Sequence, residues 1–66
     1  MGASILRLPD VIKITALSRS AIYDLIAKGK FPKQIKLTSR SSGWIESEIN
    51  QWLDDRIAER DAGVAA

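Results

Sequence analysis

Cysteine and histidine are both missing from the 66 residues. Without cysteine there is no disulfide, no thiolate nucleophile and no Cys-based zinc site to support the fold or carry chemistry. Without histidine the commonest general base and the commonest metal ligand are gone together, and scattered carboxylates are the only acid–base candidates left. No nucleophile–base pair and no metal constellation can be assembled, so the sequence predicts neither catalysis, nor a cofactor, nor a metal. Long apolar runs are also lacking: nothing approaches the ~20 residues that cross a bilayer, and no basic segment followed by an apolar core opens the chain. A cytoplasmic, nucleoid-associated protein with no membrane partner is expected. No internal repeat or low-complexity segment is present.

What is there suits one small domain. Apolar residues make up 45% and charged residues 27%, the balance of a globular chain and not of a disordered tail. A chain of this length buries only ~60% of its unfolded surface, so stability is expected to be modest. The net charge of +2 hides an asymmetry. Between Arg7 and Ile45, eight Lys and Arg stand against Asp10 and Asp24, a net +6. From Glu46 onward, Arg56 and Arg60 stand against six carboxylates, a net −4. A polyanion responds to the local field, so the first two-thirds of the chain suit it and the last third does not.

Taken in order, residues 1–4 carry no pattern and are expected to be disordered. Ile5-Leu6-Arg7-Leu8 is a short extended lead-in. Pro9 opens a helix over 9–14, with Asp10 at the positive end of its dipole. Leu8, Val11, Ile12 and Leu17 are its core candidates. A second helix spans 18–28: Ser18 supplies the N-cap, Gly29 the left-handed stop, and Lys28 suits the negative end of the dipole. Ile22, Leu25 and Ile26 share one face, while Arg19, Ser20, Tyr23 and Asp24 lie on or beside the other. Pro32 forbids continuation and leaves Phe31 to plug the core edge. A hairpin is expected over 33–45, with Ile35 and Leu37 inward, Lys36 outward, a polar loop at Thr38–Ser42 and a return strand from Gly43. A helix over 46–60 places Ile49, Trp52, Leu53 and Ile57, with Ile45 just before it, at apolar spacing and is capped by Glu46 or Ser47. Trp44 and Trp52 fall in the apolar pattern and are assigned to the core. Residues 61–66 are expected to be a flexible tail, leaving 5–60 as the domain.

The predicted class is therefore mainly α with a small β-hairpin, in the order of a winged helix-turn-helix: the second helix enters the DNA major groove and the hairpin touches the neighbouring backbone. Four blocks then carry a family likeness: Arg7-Leu8-Pro9-Asp10-Val11; Thr15-Ala16-Leu17-Ser18-Arg19-Ser20-Ala21-Ile22-Tyr23; Gly29-Lys30-Phe31-Pro32; and Gly43-Trp44-Ile45-Glu46-Ser47-Glu48-Ile49 with Trp52-Leu53. In order and spacing, over roughly residues 5–60, the chain resembles the AlpA family. These are small prophage and plasmid transcriptional regulators similar in fold to MerR DNA-binding domains and phage excisionases. Three positions depart from the pattern. Ala16 stands at a turn position where glycine is usual, which is strained if the turn needs a positive φ. Thr38-Ser39 replace a glycine-containing wing start. Asp24 is acidic where a basic or neutral residue is usual; it repels phosphate but accepts from a cytosine amino group.

The expected DNA-binding residues are Arg19, Ser20, Tyr23, Asp24 and Lys28 of the second helix, with Lys33, Lys36, Arg40 and Ser41 of the hairpin. Arg19 suits guanine O6/N7 or a phosphate; Lys33, Lys36 and Arg40 suit the backbone, although charges there also keep a strand edge from pairing. Double-stranded DNA is the expected partner, with further copies of the chain on neighbouring sites and an integrase as additional partners. The function expected is sequence-specific regulation of transcription on a prophage or other mobile element. An excisionase that bends DNA for an integrase is an alternative on the same surface. A protein-interaction module built on the helix over 46–60 is an alternative of another class.

Overall fold

Each helix boundary has a local cause. In the computed structural model, which describes residues 4–64, α1 (Leu8–Thr15) begins where the Arg7 backbone N–H donates to Asp10 Oδ2 at 3.1 Å, and Pro9 sits in the first turn. Pro9 lacks an N–H only where the helix has no partner for one. Thr15 ends the helix by donating its hydroxyl to the Val11 carbonyl at 2.7 Å, and the same oxygen accepts the Leu17 N–H at 3.3 Å. Ala16 then turns the chain with φ 60° and ψ 18°. The turn therefore does need a positive φ at that position, and alanine occupies it.

The second helix, α2 (Arg19–Ala27), starts from Ser18, whose Oγ accepts the Ala21 N–H at 3.1 Å. It stops at Gly29, φ 71°, where the Gly29 N–H reaches the Ile26 carbonyl and the Lys30 N–H reaches the Leu25 carbonyl. That paired closure satisfies two orphan carbonyls at once. The boundaries of α1 and α2 therefore lie within a residue or so of those expected from the sequence.

The sheet differs from a plain hairpin. β1 (Ile5–Leu6), β2 (Ile35–Thr38) and β3 (Ser41–Ile45) form a three-stranded antiparallel sheet in the order β1-β3-β2. The lead-in at Ile5-Leu6 is thus a strand, with Ile5 opposite Ile45 and Leu6 opposite Trp44. Between β2 and β3 only Ser39 and Arg40 form the turn, so Thr38, Ser41 and Ser42, expected in the loop, belong to the strands. The expected inward face of β2 is also corrected. Lys36 is exposed as expected, although it pairs with Ser42 on the face of buried Trp44, whereas Ile35 pairs with Gly43 on the opposite face. Ile35 and Leu37 are 38% and 41% exposed, because β2 is an edge strand whose main packing partner is β3.

α3 (Glu46–Val64) follows β3 with no intervening loop. Neither Glu46 nor Ser47 precedes it as a cap: Glu46 is already helical, and its N–H donates to the Ser4 carbonyl at 2.9 Å. The helix runs beyond the expected end at 60, since no proline or glycine interrupts 46–62, and Asp61–Gly63 are helical where a tail was expected. Residues 1–3 of the expected disordered N-terminus and 65–66 of the expected tail lie outside the described residues.

Five buried side chains from five segments make the core: Val11 of α1, Ile22 of α2, Phe31 of the following loop, Trp44 of β3 and Ile49 of α3. Leu6, Leu8, Ile12, Leu17, Leu25, Ile26, Trp52 and Leu53 pack around them. Both indoles also tie down the loop after α2: Trp44 Nε1 donates to the Pro32 carbonyl at 3.0 Å, and Trp52 Nε1 to the Lys30 carbonyl at 2.8 Å. Phe31 meets Trp52 edge-on with ring centres 4.8 Å apart, the geometry the ring quadrupoles favour. Ile57 is the exception to the apolar pattern of α3. It is 48% exposed, because the core ends near Leu53 while the helix continues.

Candidate nucleic-acid interface

α2 is fastened at both ends and by the burial of Ile22 beneath it, so its outer face is presented on a rigid element. Arg19, Ser20, Tyr23 and Asp24 are exposed there, as the spacing predicts. Arg19 is the first helical residue, and the first intrahelical bond runs from the Ile22 N–H to the Ser18 carbonyl. The free N–H groups of this first turn carry the positive end of the dipole. Asp24 does not stand alone on the face: Lys28 Nζ lies 2.9 Å from its Oδ2, one turn along. The two charges offset each other, so neither adds much net field.

The wing turn is organised by hydroxyls in place of glycine. Thr38 Oγ1 accepts the Arg40 N–H at 3.1 Å and lies 2.8 Å from Ser41 Oγ. Leu37 is an extra residue in the register between Lys36 and Thr38, a bulge that increases the local twist at the tip. The Thr38-Ser39 departure from the family pattern thus builds a two-residue turn by side-chain to backbone bonding.

Arg19 and Tyr23 of α2 and Arg40 and Ser41 of the wing border one shallow depression floored by Trp44. A third guanidinium joins them: Arg7, the residue between β1 and α1. No carboxylate lines this depression. The contrast with α3 is sharp, since Arg56 is paired with Glu59 and Arg60 with Asp61. Among the described residues, Arg7, Arg19 and Arg40 make no ion pair.

The remaining expected residues lie elsewhere. Ser20 is exposed on α2 and Lys36 on the edge strand, neither lining the depression. Lys33 lines a second groove, between the loop after α2 and α3, with Phe31, Trp52, Asp55 and Arg56. In that groove the Arg56 guanidinium stacks on the Trp52 ring at 5.5 Å. Arg7 is not legible as a site residue in the sequence. Its position became visible only with the pairing of β1 to β3, a long-range contact that a two-residue strand does not announce.

Residues 4–57 match the family described as Prophage CP4-57 regulatory protein (AlpA). The chain belongs to the AlpA family. The likeness seen in the four sequence blocks is therefore a true membership, and the winged helix-turn-helix architecture accompanies it. One AlpA relative, the DNA-binding transcriptional activator AlpA of Escherichia coli strain K12, is 45% identical over 58 residues, covering 79% of this chain and 83% of that protein. Another relative, the uncharacterized protein ORF88 of Enterobacteria phage P4, is 46% identical over 61 residues, covering 92% of this chain and 69% of that protein. Among the described residues of this AlpA family member, no helix is long and apolar enough to cross a membrane.

Proposed function

We propose that this chain is a sequence-specific DNA-binding regulator of transcription on a prophage or other mobile element. α2 enters the major groove and the β2–β3 wing lies along the sugar–phosphate backbone. The observation that carries this reading is the convergence of Arg19 and Tyr23 from α2 with Arg40 and Ser41 from the wing on one depression without a carboxylate. Membership of a family of prophage regulatory proteins supports it, as does the E. coli relative described as a DNA-binding transcriptional activator.

In this reading Arg19 contacts a guanine edge from the first turn of α2, with Ser20 and Tyr23 beside it, and Lys36 and Arg40 contact phosphates. Base contacts specify and phosphate contacts position. A single small module has a limited footprint, so copies on neighbouring sites supply the remaining specificity. Footprinting on the DNA of the element that carries the gene tests the proposal, and absence of any retained fragment at low salt sinks it. On the site so found, Arg19→Ala is expected to weaken binding by about 1–3 kcal/mol and relax choice at one base pair. Lys36→Ala and Arg40→Ala are expected to weaken all sequences equally and to lower the salt slope by about 1 each. An excisionase would use the same surface. Loss of excision in a deletion strain with integrase expression held constant would assign that role instead.

A further inference from the structure

Arg7 is the guanidinium that the helix-and-wing description leaves without a task. Its backbone is held from both sides. Leu6, just before it, pairs with Trp44 in the sheet, while the Arg7 N–H donates to Asp10 Oδ2 and its carbonyl accepts the Val11 N–H at 3.0 Å. Asp10 thus spends a carboxylate oxygen on the backbone of Arg7 and makes no ion pair with its side chain among the described residues. Arg7 borders the depression together with Arg19 of α2 and Arg40 of the wing.

We propose that Arg7 is a third DNA-contacting element of this protein, a clamp on a backbone phosphodiester that works with Arg40 to set Arg19 against the bases. The inference rests on the DNA-binding reading above. Three unpaired guanidiniums around one concavity repel each other and persist only where an anion or water screens them. A phosphodiester fits the geometry of a guanidinium fork, which donates two parallel N–H bonds to two oxygens. The first-turn N–H groups of α2, at Arg19 and Ser20, add the positive end of a helix dipole beside the same depression. Arg7, between β1 and α1, and Arg40, in the wing turn, come from different segments bordering the same depression as Arg19. Together they hold the backbone at two points, which fixes the rotation of the helix about its own axis and so the register of Arg19.

Equilibrium binding of the intact chain to two duplexes, one carrying the footprinted site and one unrelated, over a series of KCl concentrations tests this. Arg7→Gln is expected to weaken both duplexes by the same factor, about 5- to 20-fold, and to lower the salt slope by about 1. Arg7→Lys is expected to restore the slope, because the slope counts charge, while recovering only part of the affinity. Arg56→Gln, the same charge change on α3, is expected to leave both duplexes as in the wild type. Melting by circular dichroism within a few degrees of wild type confirms that Arg7→Gln is folded, since only the backbone of Arg7 is bonded in the fold. An Arg7→Gln protein with the wild-type slope, or one that loses the site while keeping the unrelated duplex, overturns the assignment alone. A wild-type chain that retains neither duplex at low salt overturns the DNA reading, and this inference with it.

Discussion

Ala16 stores strain at the turn between α1 and α2. At φ 60° and ψ 18° its Cβ crowds the following carbonyl, at a cost of order 1–2 kcal/mol. Glycine has no such cost but adds entropy to the unfolded chain, worth about 0.4–1 kcal/mol against folding. Ala16→Gly is therefore expected to stabilise the protein by up to about 1.5 kcal/mol, seen as a rise of about 4–8 °C per kcal/mol in a thermal melt; a fall would mean that the turn is not strained. Gly43 is demanding for a different reason. A Cβ there would lie 2.5 Å from Ile5 Cγ2 and 3.0 Å from the Leu6 carbonyl oxygen. The Ile5 methyl can turn away, but the Leu6 oxygen belongs to the backbone of β1. Gly43→Ala is expected to cost about 1–3 kcal/mol in urea denaturation by prising β1 from β3, and an unchanged midpoint would refute the close approach. Ala16 was legible in the sequence through the family likeness alone, as a turn position where glycine is usual. The demand at Gly43 was not, because it arises from a strand 37 or more residues away in sequence.

At the scale of the element, α2 carries its outer face on well-defined caps, and the one acidic residue on that face is matched by Lys28. The pair is largely exposed, at 60% and 59% of the side chains, and an exposed pair of this spacing contributes only about 0.3–0.5 kcal/mol. Its weight falls on binding and not on folding. Asp24→Asn is expected to leave the melting midpoint within a few degrees while strengthening DNA binding at low salt, because it removes a charge that repels phosphate and releases Lys28. Loss of affinity confined to the cognate site would show instead that Asp24 accepts from a base. The wing shows where element-level reading fails. Alternation in 33–37 marks a strand whose observed span is Ile35–Thr38, yet it turns Ile35 and Leu37 inward where both are exposed. Alternation reports two faces without saying which is covered, and the register that puts Lys36 beside Ser42 and Ile35 beside Gly43 is set by the bulge at Leu37.

Across the whole molecule, charge is divided by element. The unpaired arginines surround the depression formed by α1, α2 and the wing, while α3 carries most of the carboxylates and pairs its own arginines with them. The same helix is anchored at one end only. Ile49, Trp52 and Leu53 belong to or border the core, and beyond them Ile57 is half exposed. Ending the chain after Arg60 is therefore expected to change stability by less than about 0.5 kcal/mol, since among the described residues it removes no core side chain and one exposed ion pair. A larger loss in a denaturant titration would mean that the last turn of α3 packs on the domain.

By itself the sequence determined the order of the three helices and the hairpin, the caps at Ser18 and Gly29, the core roles of Phe31 and Trp44, and the family. These follow from local rules of spacing, capping and apolar period that act over a few residues, or from motifs that survive intact along the chain. Only the tertiary structure decided that Ile5-Leu6 is a strand, that Ile35 and Leu37 face away from the core, that α3 outruns it at Ile57, and that Arg7 joins Arg19 and Arg40. Each depends on pairing between segments distant in sequence, where a residue's surroundings are set by partners that its neighbours do not specify.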